Sequence, residues 1–85
     1  ESIHPKTVIY GIQIDNTYKA YIEDDIISAG GSITDSVGSV NMKITREADG
    51  IVTIINSKTS EELVKERDFF FAWYAFHPDT LVYGR

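Results

Sequence analysis

A chain of 85 residues with 42% hydrophobic residues and ten aromatic side chains (four Phe, five Tyr, one Trp) has the composition of a folded domain, not of a disordered segment. It has no cysteine, which excludes disulfides, thiolate metal sites and thiol nucleophiles. Its net charge of −5, with scattered basic residues, argues against nucleic acid and anionic membranes as partners. No apolar run approaches the ~20 residues that span a bilayer, so we expect no direct insertion into a membrane. The length predicts a single domain over residues 1–85.

The first quarter of the chain predicts a β-hairpin followed by a short helix. Residues 7–22 contain two runs rich in β-branched and aromatic side chains, and the runs are separated by the turn formers Asp15 and Asn16. The acidic start of residues 23–29 suits the positive end of a helix dipole. The glycines at 30–31 suit a left-handed stop, so we expect a helix at about 23–29.

The middle of the chain predicts a loop and a second hairpin. Residues 32–39 are small, polar and glycine-containing, and we expect a loop there, with Ile33 and Val37 covering the core. Residues 40–56 alternate apolar and polar side chains on both sides of the turn signal at 49–50. These residues should therefore form two antiparallel strands.

The last third predicts helix. Thr59 and Glu62 fit a capping box, and residues 61–77 could form one helix or two with a break near 67–68. The helix should end two residues before Pro78, because proline disfavours a helical residue before it.

An aromatic stripe dominates the predicted C-terminal helix. Spacing places two groups on neighbouring faces, Phe69, Trp73 and Phe76 on one and Phe70, Tyr74 and His77 on the next. In a chain this short, most of the aromatic residues from 69 to 76 are needed for the core. We therefore expect Trp73 to be largely buried.

These elements predict an α+β fold. We expect a small, mostly antiparallel sheet of four or five strands, with the aromatic C-terminal helix packed on one face and the shorter helix near an edge. The fifth strand, at residues 80–83, is predicted from its likeness to residues 7–10.

The chain contains one short motif twice. Residues 4–11 read HPKTVIYG and residues 77–84 read HPDTLVYG. Their separation is longer than the period of solenoid repeats, so the repeated unit would be a whole domain and the chain one unit of a tandem array. Each copy should form a corner that feeds a strand, and we expect the second strand to pair with the sheet of its own domain.

Three segments carry a resemblance to a known family: HPKTVIYGIQIDNTYKAYI at 4–22, GGSITDSVG at 30–38 and FFFAWYAFHPDT at 69–80. Together they resemble the uncharacterised family catalogued as domain of unknown function three-one-seven-nine, found in exported proteins of bacteria and archaea. The family has Pro where Ile22 stands and Gly where Ser39 stands, and the cysteine-bearing segment of its long members has no counterpart after Thr45. The resemblance implies a short, cysteine-free member with an extracytoplasmic (periplasmic or extracellular) location, to which no metal or redox role carries over.

Candidate ligand residues are few. His77 could ligate a metal or haem iron, with Trp73 and Tyr74 as a pocket wall, or it could stabilise a helix C-terminus. His4 holds the matching place in the other copy of the motif, and two such distant histidines are a poor metal signature. The acidic run at 23–25 lacks the spacing of a calcium loop, and no hydroxyl has a base placed beside it.

The sequence therefore predicts no catalytic residues, no metal site and no cofactor. The function it favours is a non-catalytic interaction or structural module of an exported protein, with another protein, either a neighbouring domain or another subunit, as the partner. The alternative is a small-ligand, metal or redox-cofactor domain that uses His77 and the aromatic helix. The environment of His77 separates the two, because a module would pack this ring against the chain and a cofactor site would leave it open beside a cavity.

Overall fold

The computed structural model describes residues 2–85, in which it contains seven strands and two short helices. In chain order they are β1 Val8–Ile14, β2 Thr17–Ile22, α1 Glu23–Ser28, β3 Ser32–Val37, β4 Val40–Arg46, β5 Val52–Asn56, β6 Glu66–Phe69, α2 Phe70–Phe76 and β7 Leu81–Val82. The strands form a four-stranded sheet that is mostly antiparallel and a three-stranded sheet that is wholly antiparallel. This confirms the predicted α+β class and adds a second sheet that the sequence did not predict.

The chain divides into two compact units. The first, here the aromatic unit, contains the residues up to Glu23 together with Lys65–Arg85, and the second, the aliphatic unit, is Asp24–Val64. All ten aromatic residues of the sequence fall in the first unit.

The aromatic unit holds the four-stranded sheet, in the order β6-β1-β2-β7. The β1–β2 hairpin turns at Asp15 and Asn16 as predicted, and Asp15 adopts a φ of 52°. β6 lies antiparallel along the outer side of β1, and β7 lies parallel to β2. One face of the sheet carries a buried cluster of Ile9, Ala20, Ile22 and Trp73, with Ile3, Tyr18, Phe70 and Val82 packed against it.

The aliphatic unit holds the three-stranded sheet, in the order β3-β4-β5. Ile33, Ile44 and Ile54 stand opposite one another across its three strands and are all buried. α1 confirms the predicted helix, and Gly30 and Gly31 end it with positive φ while donating to the carbonyl oxygens of its last turn.

The predicted loop at 32–39 is wrong. Residues Ser32–Val37 form β3, which pairs with β4 along its whole length. Ile33 and Val37 are buried, as expected. They belong to a strand, however, and the positions between them carry small polar side chains. An edge strand tolerates such residues because one side of it needs no partner, and pairing with β4 decides its conformation.

The predicted helix over 61–77 is also wrong over most of its length. Only Phe70–Phe76 is helical, and Glu66–Phe69 is a strand. Thr59 does not cap a helix, since its hydroxyl accepts the N–H of Glu61 within a turn. Pairing of β6 with the open side of β1 overrides the helical pattern, whereas the predicted end at Phe76 is confirmed.

The two copies of the repeated motif form equivalent corners, as predicted. Thr7 donates its N–H to His4 O at 3.0 Å, and Thr80 donates its N–H to His77 O at 3.0 Å. The first corner feeds β1 and the second feeds β7, which pairs with β2 of the same unit.

Candidate interaction surface

Trp73 of α2 sits directly on the backbone of β1. Its side chain is 3% exposed, and a Cβ atom added at Gly11 would lie 2.5 Å from the indole ring carbons. Only glycine leaves room for this approach. The indole Nε1 donates to Thr80 Oγ1 at 2.9 Å, so the buried ring also has its polar atom satisfied. The prediction that Trp73 is largely buried is confirmed.

The two corners hold α2 at both of its ends. At its start no side chain caps the helix; instead Phe70 donates its N–H to Thr7 O at 2.8 Å and Phe71 donates to Pro5 O at 2.9 Å. At its end the corner that begins at His77 follows immediately and supplies Thr80 to the indole. The repeated motif therefore fixes a helix of seven residues, which is too short to be stable by itself.

The histidines of the two corners differ in their side chains. His77 is half-buried and stacks on Tyr18, with ring centroids 3.9 Å apart and planes 19° apart, and its centroid lies 4.3 Å from that of Trp73. His4 is exposed, and its Nδ1 accepts the N–H of Lys6 at 3.1 Å. Among residues 2–85, no three His, Asp or Glu side chains are grouped so that they could hold a metal ion.

The aromatic residues around α2 lie mostly at the surface, and the prediction that most of them belong to the core is wrong. Phe69, Phe71 and Tyr74 are each about half exposed, and Phe76 is 80% exposed. The reason is that the helix begins only at Phe70 and its single buried position is taken by Trp73. The predicted buried face of Phe69, Trp73 and Phe76 is therefore not formed.

Three of these residues form one patch, here called the aromatic surface: Phe69, Phe71 and Tyr74. The rings of Phe69 and Phe71 stack with centroids 6.2 Å apart. Tyr74 follows Phe71 by three positions, which places the two side by side on the helix, and Tyr74 stacks on Phe70. Phe76 points to another side, since residues two apart in a helix do not face each other.

The edge strand β6 lies next to the aromatic surface and carries charge on both of its faces. Glu66 and Asp68 stand opposite Gly11 and Ile9, on the sheet face that Trp73 covers. The pKa of Glu66 is raised, mainly because the protonated form of its carboxyl group can hydrogen-bond to the neighbouring carboxyl group of Asp68.

On the opposite face of the sheet, Arg67 joins a side-chain network. Its Nε donates to the Tyr10 hydroxyl at 3.2 Å, and that hydroxyl donates to Glu23 Oε2 at 2.9 Å. Burial is the main reason that the pKa of Tyr10 is raised. The network ties β6 to β1 and uses Glu23, the first residue of α1, as an acceptor.

Sequence reasoning missed both β6 and this network. One signal for the site was available: a glycine inside the β-branched run at 7–14 is typical of a close backbone approach, and Gly11 is where Trp73 lies. The acidic residues at 66 and 68 also have the two-residue period of a strand, but they lie within the segment 61–77 that was predicted to be helical.

Comparison with protein-family models, with curated proteins and with solved structures finds no match for this chain. The resemblance of its three segments to the exported-protein family therefore stays a prediction. No helix within residues 2–85 has the length and apolar character needed to cross a bilayer.

Proposed function

We propose that this chain is a non-catalytic interaction module that binds another protein through its aromatic surface. The observation that carries the proposal is the exposure of Phe69, Phe71 and Tyr74, each 45–52%, where the last residue of β6 meets a short helix held at both ends. Single exposed apolar residues are ordinary, whereas contiguous patches mark interaction sites. Aromatic side chains are also the residues that supply most binding energy at protein interfaces.

The rigid mounting of α2 supports this function. A surface that is already ordered loses little conformational entropy on binding, and α2 is fixed by Trp73 on Gly11 and by two backbone hydrogen bonds at its start. We also propose, from the repeated corners, that residues 1–85 act as one domain of a tandem or appended array. From the family resemblance alone, we place the protein outside the cytoplasm.

The alternative function, a metal or cofactor site built on His77, finds less support. The imidazole is in ring contact with Tyr18 and Trp73, which is the packing expected of a structural histidine. We expect Zn²⁺, Cu²⁺ or haem to leave the melting temperature unchanged, since only a ligand that binds the native state raises it. A rise that disappears in His77→Ala would favour the cofactor site instead.

Selection from a displayed library of random peptides tests the interaction module. The wild-type chain serves as bait, and the selected peptides are then tested for binding to the variant Phe69→Ser/Phe71→Ser after its melting curve has shown that it folds. Phe76→Ser removes an exposed aromatic residue outside the patch and is the matched control. Peptides that bind the wild type and Phe76→Ser but not the double variant would support the proposal. Selection that yields only peptides indifferent to the double variant would overturn it.

A further inference from the structure

The outer side of β6 presents backbone groups that can accept another strand. Phe70 donates to Thr7 O just beyond the β1–β6 ladder, so by alternation the pairs Ile9 with Asp68 and Gly11 with Glu66 are the hydrogen-bonded ones. The N–H and C=O groups of Arg67 therefore point away from β1. In the described part of the chain, the order of the four-stranded sheet ends at β6. One outward N–H, that of Phe69, is held by Asp68 Oδ1 at 2.8 Å.

The charges on β6 disfavour a second copy of the chain as the added strand. In a two-fold antiparallel pair of β6 strands, side chains that stand opposite each other lie on the same face of the sheet. Even-numbered residues therefore stand opposite even-numbered residues of the copy, and odd-numbered residues opposite odd-numbered ones. One register with large overlap sets Glu66 against Asp68 of the copy and Arg67 against Arg67. The other sets Asp68 against Asp68. Both oppose like charges, which destabilises a cross-strand pair.

The same charges favour a basic strand. A partner residue opposite Glu66 and another opposite Asp68 lie two positions apart, on one face of the incoming strand. Basic side chains at these places would offset the repulsion between the two neighbouring carboxylates, the same proximity that raises the pKa of Glu66. The partner's intervening residues fall on the face of Arg67 and Phe69, where an apolar side chain can contact the exposed Phe69 ring.

We propose that β6 extends its sheet by accepting an extended segment of a partner protein, with basic residues at alternate positions opposite Glu66 and Asp68 and apolar residues between them. The inference rests on the proposed function, because the added segment would also contact Phe69 of the aromatic surface and so be part of the same partner. Backbone pairing would supply affinity, and the alternating charges would supply specificity and register.

Titration of the ¹⁵N-labelled full chain with short peptides, followed by NMR, tests this proposal. The probe is a peptide of alternating valine and lysine with blocked ends, and the controls are the valine–glutamate peptide and a lysine peptide whose valines are N-methylated. We expect shifts concentrated in residues 66–69 and 8–11. The N-methylated peptide should not bind, since it cannot donate the backbone hydrogen bonds of a strand.

Two variants separate the charge pattern from net charge. Glu66→Gln/Asp68→Asn should weaken binding of the lysine peptide by roughly three- to tenfold, the effect of losing two cross-strand charge pairs. Glu47→Gln/Glu61→Gln removes the same charge from the aliphatic unit and should have no such effect. Glu66→Lys/Asp68→Lys should bind the valine–glutamate peptide instead.

The outcomes distinguish this inference from the proposed function. Shifts centred in residues 24–64, or equal binding of the N-methylated peptide, would show unspecific attraction and overturn the strand addition. A dimer of the wild-type chain alone that becomes tighter in Glu66→Gln/Asp68→Asn would assign the edge to a second copy and overturn the proposal. If library selection yields binders that need the aromatic surface but lack alternating basic residues, the interaction module stands and the strand addition fails.

Discussion

The two units of this protein bury their apolar residues in different ways. The aliphatic unit contains no aromatic residue and seven acidic against three basic residues, and it packs a row of isoleucines from three strands. In the aromatic unit one face of the sheet depends on a single tryptophan seated on a glycine. Because Trp73 fills that position, the neighbouring aromatic residues are left at the surface. The proposed interaction rests on these exposed rings and therefore on the aromatic unit.

The largest effect should come from removing that tryptophan. Trp73→Ala should lower the free energy of unfolding by about 3–5 kcal/mol, because it deletes a large buried side chain and its hydrogen bond to Thr80. Denaturant unfolding measures the change. Tyr74→Ala, one residue further along the same helix, should cost less than about 1.5 kcal/mol. Similar losses of unfolding free energy for the two variants would contradict the contrast between a buried Trp73 and an exposed Tyr74.

A smaller loss is expected from filling the space beneath the indole. Gly11→Ala should cost about 1–3 kcal/mol, since the added methyl group would overlap the Trp73 ring. A double-mutant cycle with Trp73→Leu checks the cause, because the alanine should cost less where the indole is absent. An equal cost in both backgrounds would place the strain in β1 itself.

The repeated corners offer a matched pair of variants. Thr80→Val should cost about 1 kcal/mol through loss of the acceptor for the Trp73 indole N–H. Thr7→Val makes the same change in the other copy, where the threonine contacts α2 through its backbone oxygen, which accepts the N–H of Phe70. We expect thermal unfolding to show the larger loss for Thr80→Val. Equal losses would mean that the hydroxyl is not what distinguishes the two copies.

The elements that sequence predicted correctly are those set by local signals. Asp15 with Asn16 fixes the first hairpin, Gly30 with Gly31 ends α1, and Pro78 ends α2. Each of these residues acts on the backbone directly, because Asp, Asn and especially glycine tolerate positive φ, whereas proline disfavours a helical residue before it. The repeat likewise predicted two equivalent corners, because identical local residues form the same turn.

The elements that sequence missed depend on distant partners. β3 and β6 are strands because β4 and β1 offer open sides to them, and neither segment has a strong strand preference of its own. The aromatic residues from 69 to 76 were wrongly assigned to the core for the same reason. Spacing put Phe69 on a helix, whereas pairing with Val8 made it the last residue of a strand and left the remaining helix too short to bury more than Trp73.

The smallest effect concerns the acidic pair on β6, and it bears on the charge that β6 would present to the proposed basic strand. The pKa of Glu66 lies above its ordinary value of 4.5, with the hydrogen bond to Asp68 as the first cause and burial as the second. A raised folded-state pKa contributes stability at pH values below the unfolded pKa, and this contribution is lost as pH rises through the folded value. Asp68→Asn keeps the side-chain oxygen that accepts the Phe69 N–H but removes the second charge.

In Asp68→Asn the Glu66 pKa should therefore fall toward its ordinary value, and the stability of the variant relative to wild type should increase as pH rises above that value. Carboxyl ¹³C shifts followed through a pH titration measure the first effect directly. Asp79→Asn, which removes one exposed carboxylate from the same unit, should leave the Glu66 titration unchanged. If both variants shift Glu66 alike, net charge rather than the neighbouring carboxyl sets its pKa, and the case for a partner with basic residues opposite Glu66 and Asp68 loses its electrostatic support.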